Sequence, residues 1–287
     1  MQNLSLIIFL IIRIFSNPFA NVLQKRLSCE IKPSVINFYS YLLLSVSYLP
    51  FINKYISADL FTIQFTSLVL FAGLLCTLGT VCLIKAINIG ELSVLGPINS
   101  YKSIIGLILA FIFLKEIPSF YAIIGIFLII LGSKMIFDTE KEGFSLRLFK
   151  RKDIQLRFLA LIFTATEAVV LKKIILLSSI DTCFVLWCFT GMFWSFVFLM
   201  FSKERIKIDY KQNLFPLMLI SLCLGFMQYS TNFLFKYMNV GYALALFQLS
   251  TIVTVFFGYK FFNGKELIRK LLASVIMIIG SVIIILF

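Results

Sequence analysis

Arg13, Lys102 and Glu167 each fall within a residue or so of the middle of a long apolar run. A lysine at the centre of a bilayer costs roughly 3 kcal/mol on insertion scales, and the three charges together on the order of 8 to 10 kcal/mol, too much to leave facing lipid. They are expected to point inward, where their chemistry is ion recognition. Arg13 offers a planar fork to a carboxylate or phosphate, and Lys102 offers a compact point charge. Glu167 is the intramembrane carboxylate that would meet an amine on the same molecule, and it is the candidate carrier of a coupling proton. The competing reading is a permanent ion pair locked between helices.

Polar neighbours extend these positions at helical spacing. Asn17 and Asn21 follow Arg13 on one face, Asn99, Lys102, Ser103 and Gly106 share another, and Thr164 lies one turn before Glu167. Gln228 with Asn232, and Gln248 with Thr251, add amides and a hydroxyl from two later runs. Such groups serve interhelical bonds as readily as ligands. The candidate substrate set is Arg13, Asn17, Asn99, Lys102, Glu167, Gln228, Asn232 and Gln248. Trp187 and Trp194 share a face, where packing or lipid contact competes with stacking on a planar substrate.

The elements that must carry these groups are membrane helices. Of 287 residues, 61% are hydrophobic and only 14% charged, where a soluble domain has nearer a quarter. Ten apolar runs are long enough to cross a bilayer, which takes about 20 residues of helix. They cover 4–24, 34–51, 60–84, 92–114, 120–137, 156–177, 182–201, 214–235, 242–262 and 267–287, an all-α polytopic membrane protein. Pro18 and Pro97 lie inside runs and are expected to kink them. The opening segment has no lysine or arginine ahead of its apolar core, Arg13 interrupts that core, and no small-x-small site follows, so it reads as the first membrane helix and not as a signal peptide.

With no histidine, the chain lacks Ser-His-Asp and Cys-His catalysis and imidazole metal sites. The six cysteines show no Cys-x-x-Cys spacing and read as small packing residues. No enzyme, metal or cofactor is expected. The net charge of +13 fits loops facing anionic lipid, without nucleic acid as a partner. The partners implied are a small-molecule substrate, the bilayer and protons as a coupling ion.

The polar stretch at 138–155 divides the chain into halves, 1–137 and 156–287, that repeat one another. Lys85-Ala-Ile-Asn-Ile-Gly90 matches Lys236-Tyr-Met-Asn-Val-Gly241, Lys115-Glu116 matches Lys265-Glu266, and Gly132-Ser133 matches Gly280-Ser281. Val22-Leu23-Gln24-Lys25 also matches Val170-Leu171-Lys172-Lys173. The offsets run from 148 to 151 in unbroken order. Five passes is an odd number, so the second copy enters from the opposite side and the fold is two inverted five-helix repeats.

In helix number, in the five-plus-five repeat, in the Lys-Glu before each closing helix and in the glycine-containing runs of those helices, the chain resembles the drug/metabolite transporter superfamily. The specific likeness is to ten-helix members with two EamA-like domains. It covers essentially the whole chain and is strongest over 73–136 and 225–285. The resemblance implies a carrier with a central cavity, working by alternating access on metabolites such as amino acids, nucleotide derivatives or sugars, often outward. A cell (inner) membrane location follows. Substrate residues differ widely within the superfamily, so none is carried over.

One feature departs from the pattern. The connections after helices 1, 3, 5, 7 and 9 hold most of the lysines and arginines, against Lys54, Lys115, Lys172, Lys173 and Lys236 on the other side. The positive-inside rule then places both termini outside, whereas members of the superfamily usually keep them in the cytoplasm. Two rivals to a metabolite carrier stay open, a flippase subunit for a lipid-linked substrate and a membrane-embedded enzyme acting on one.

Overall fold

The computed structural model describes residues 2–105, 108, 119–139, 149–202, 210–238 and 240–286. Gly106 and the Lys115-Glu116 pair lie outside the described residues. The helices are α1 (Gln2–Leu27), α2 (Pro33–Tyr48), α3 (Ile63–Ile89), α4 (Leu92–Leu95), α5 (Phe120–Phe137), α6 (Lys152–Leu177), α7 (Ile180–Ser202), α8 (Tyr210–Tyr237), α9 (Val240–Phe247), α10 (Ser250–Phe262) and α11 (Leu267–Leu286). Local chemistry sets their starts. Thr62 accepts from the Phe65 N–H at 3.3 Å to cap α3, and Ser119 accepts from the Ala122 N–H at 3.1 Å to cap α5. Pro33 opens α2, where its missing N–H costs nothing.

Eight helices among the described residues are long and apolar enough to cross a bilayer. The remaining two of the ten passes are the sixth and the fourth. α6 is 26 residues long but carries Arg157 and Glu167 along its length. The fourth pass is not the continuous helix expected. It stops at Leu95, runs as a 3-10 turn from Pro97 to Ser100 and resumes as α-helix over 101–105. Pro97 has no N–H to give, and the Asn99 N–H bonds the Gly96 carbonyl at 3.0 Å in place of the one four residues back. The ninth pass, also expected whole, breaks at Gln248 and Leu249 between α9 and α10 without any proline. By contrast, Pro18 leaves α1 unbroken from Gln2 to Leu27.

The packing is between halves. α5 lies along α11, α3 along α6, α1 along α8, α2 along α7, and α4 against α10. In passes these are 5 with 10, 3 with 6, 1 with 8, 2 with 7 and 4 with 9, a pattern unchanged when the halves are exchanged. Their relative direction is read from the closing helices. A Cβ on Gly125 would come within 2.6 Å of the Gly280 carbonyl oxygen, and one on Gly132 within 2.8 Å of that of Ala273. Advancing along α5 thus means retreating along α11. The equivalent helices are antiparallel, and the halves form two inverted five-helix repeats.

A pair of lysines repeats the same relation. Lys25 donates to the carbonyls of Ile87, at 2.6 Å, and Gly90, closing the end of α3. Lys172 donates to those of Phe235 and, at 3.2 Å, Met238, closing the end of α8. Both satisfy carbonyls that a helix end leaves open, with positive charge where the helix dipole favours it. Ile87 and Met238 are equivalent in the repeat, so Lys25 corresponds to Lys172. The sequence match had paired it with Lys173, one residue further on. Outward-facing Ile7, Ile8, Ile11 and Phe15 of α1, all about half exposed, form the kind of surface that lipid covers.

Candidate functional site

The broken passes meet at the centre. Asn99 and Gln248 stand 149 residues apart, the repeat offset, and each lies at the break of its pass. The Asn99 Nδ2 donates to the Gln248 Oε1 at 3.0 Å, so equivalent amides join across the pseudo-two-fold axis. Discontinuous helices facing each other at the repeat interface are where inverted-repeat carriers place their substrates.

Between α1, α2, α3, α6, α7, α8 and the two broken passes lies a cavity of about 140 Å³. Arg13, Asn17, Asn99, Lys102, Glu167, Gln228 and Gln248 all line it. Asn232 does not. It is fully buried behind the wall and accepts from the Gln228 Nε2 at 2.9 Å, orienting an amide that does reach the cavity.

Arg13 enters from α1, with its Nε donating to the Thr231 hydroxyl at 2.9 Å and its guanidinium 4.6 Å from the centre of the Phe247 ring. Its Nη1 is buried with no partner among the described residues. Lys102 makes neither a hydrogen bond nor an ion pair with any described residue, yet stands within electrostatic reach of Glu167, Arg13 and Arg157. The permanent ion pair that competed with a ligand role is therefore absent among the described residues.

Glu167, 6% exposed, accepts from the indole Nε1 of Trp187 at 3.1 Å. The same N–H lies 3.0 Å from the Cys76 sulfur, which is 2.8 Å from the Tyr41 hydroxyl. Trp187 packs edge-on to Tyr41, with ring centres 4.9 Å apart. Trp187 thus serves the carboxylate from the cavity wall, while Trp194 is half-buried away from the cavity and donates to the Leu70 carbonyl at 2.9 Å.

Sequence reasoning missed Arg157. Next to Lys150, Arg151 and Lys152 it reads in sequence as one more charge of the basic connection, but it is buried and lines the cavity. Its Nε donates to the Leu95 carbonyl at 3.0 Å and its Nη2 to the Asn99 Oδ1 at 3.0 Å. Leu95 loses its usual acceptor role because Asn99 turns its N–H to Gly96, so the break in the fourth pass creates the acceptor that Arg157 fills. The available signal was Arg157 sharing a helical face with Thr164 and Glu167. Lys270, near the start of the last helix, is 1% exposed and bonds Glu91 at 2.7 Å. With Arg157 and Lys270 set aside as buried, the connections after helices 1, 3, 5, 7 and 9 still hold most of the lysines and arginines.

Comparison with curated proteins gives no match. A protein solved by crystallography superposes with a TM-score of 0.64 at 9% identity, over 93% of this chain and 94% of that one, a likeness that shows the fold alone. The model of the EamA-like transporter family matches residues 4–137 and again 152–286. With both halves matched, the chain belongs to the EamA-like transporter family, a group of membrane transporters within the drug/metabolite transporter superfamily.

Proposed function

We propose that this chain is a secondary carrier that moves a small polar metabolite bearing a carboxylate or phosphate across the cell membrane by alternating access. The observation that carries this is Lys102, a cation at mid-span with no described partner, in an amide-lined cavity where two broken passes meet. A buried charge without a partner is costly, and an anionic ligand removes that cost. Arg13, whose Nη1 has no partner among the described residues, supplies the second anchor. Asn17, Asn99, Gln228 and Gln248 orient the rest of the molecule, with Asn232 acting through Gln228. Glu167 meets an amine on the substrate or binds a coupling proton.

The loop charges place both termini outside, and a reporter fused after Phe287 tests that placement. The carrier reading is tested by exchange in liposomes containing only this protein. Arg13→Gln is expected to abolish exchange and Lys102→Gln to lower it by about tenfold or more, both variants inserting and remaining monodisperse. Loss of folded protein in both variants would instead support a structural role for these charges.

A further inference from the structure

We infer that the cavity selects a small organic dianion, a dicarboxylate or phosphate monoester, with Arg157 as a specificity-determining third cation beside Arg13 and Lys102. The inference rests on the carrier reading above and narrows its substrate class.

Charge is the first argument. Arg13, Lys102 and Arg157 line the cavity against one carboxylate, Glu167, so the walls carry an excess of two positive charges. No described residue forms an ion pair with any of the three cations. Arg13 meets a hydroxyl and an aromatic face, Arg157 a backbone carbonyl and an amide, and Lys102 nothing described. Neutral partners satisfy N–H groups but leave the charge uncompensated, and in a water-poor interior that charge is expensive. A zwitterion leaves the whole excess, a monoanion half of it, and a dianion none.

Placement is the second argument. Lys102 stands within electrostatic reach of both guanidinium groups, so one molecule touching Lys102 lies in the field of all three cations. The open Nη1 of Arg13 is a directed donor awaiting an acceptor, because a buried N–H without one is unfavourable. Arg157 is fixed on two sides, by the Leu95 carbonyl and by Asn99, and Asn99 in turn holds Gln248. Its charge is therefore part of the junction between the broken passes and is present before any ligand arrives. This is a preorganised site for a second negative charge.

The test is exchange in proteoliposomes, with thermal stabilisation of the purified protein as a parallel readout. The probes are succinate and glycerol phosphate as dianions, lactate as a monoanion and alanine as a zwitterion, at a pH where both acidic groups of the dianions are ionised. Wild type is expected to exchange and be stabilised by the dianions alone. Lys102→Gln removes a charge whose side chain holds no described contact, so folding is spared. It is expected to lower dianion exchange by about tenfold or more, the size of a lost charged hydrogen bond, and to admit lactate. Arg157→Gln shifts preference the same way, and Arg157→Lys keeps the dianion preference. Exchange of lactate or alanine but not of the dianions by wild type overturns the dianion assignment and leaves the carrier standing. Exchange or stabilisation by none of the four counts against the carrier reading itself. An unchanged preference order in Lys102→Gln overturns the charge-matching argument.

Discussion

The Glu167 carboxylate depends on an indole from another helix, and that dependence is separable from packing. Trp187→Phe keeps an aromatic ring against Tyr41 and Phe184 but deletes the N–H that Glu167 accepts. The expected result is a stability loss of about 1–3 kcal/mol, the cost of leaving a buried acceptor unpaired, together with a displaced pH profile of transport. Thermal unfolding and exchange measured across pH check it, and a purely packing role would move stability alone. Glu167→Gln is expected to remove the pH dependence of transport; an unchanged profile would end the proton-carrier assignment. The charges at mid-span were legible in the sequence because insertion cost singles them out. Trp187 was not, since a tryptophan in an apolar run reads as packing and its partner lies on a different helix. Arg157 was hidden for another reason. It follows Lys150, Arg151 and Lys152 so closely that it looks like the end of a basic loop, yet α6 begins at Lys152 and carries it inward.

Two broken passes hold the site, and the sequence announced only one of the breaks. Pro97 marks the fourth pass, whereas Pro18 bends nothing enough to interrupt α1, and the turn at Gln248 has no breaker residue at all. The junction is the amide of Asn99, which accepts from Arg157 and donates to Gln248. Asn99→Ala leaves both groups unpaired and is expected to cost roughly 1–3 kcal/mol for each, read by thermal or chemical unfolding in detergent. The basic face has its own tie between elements. Lys270 of α11 bonds Glu91 in the turn before α4 at 2.7 Å and lies 3.2 Å from the Ser93 hydroxyl. Burial alone would raise the Glu91 carboxyl, but the hydrogen bonds from Lys270 and Ser93 and the charges of Lys270 and Lys25 outweigh it, so its pKa lies below the ordinary value. A carboxyl held low when folded adds stability that is complete above the usual carboxylate range and is lost as pH falls through the lowered value. Unfolding midpoints measured down that range are therefore expected to fall for wild type, and Glu91→Gln is expected to flatten the decline.

At the scale of the molecule, both halves are incomplete without each other, since every major helix contact crosses between them. The repeat itself was visible in order and offset. The pairing of helices was not, because α3 and α5 are too largely apolar to single out one face, and an apolar face does not say what will cover it. Gly125 and Gly280 mark a close backbone crossing between the halves. A side chain at Gly280 would come within 2.6 Å of the Gly125 carbonyl, so Gly280→Leu is expected to force α5 and α11 apart and to cost about 1–3 kcal/mol, measured by unfolding in detergent. The claim on which all of this converges is that the inverted halves enclose one cavity that opens to each side in turn. Its most direct test is a single thiol on the cavity wall, Thr80→Cys, in a chain whose six native cysteines are replaced by alanine or serine. In sealed vesicles, a membrane-impermeant thiol reagent is expected to label that position from either face, more slowly when the exchanged anion is present. Labelling from one face only, or from neither, would contradict alternating access through this cavity.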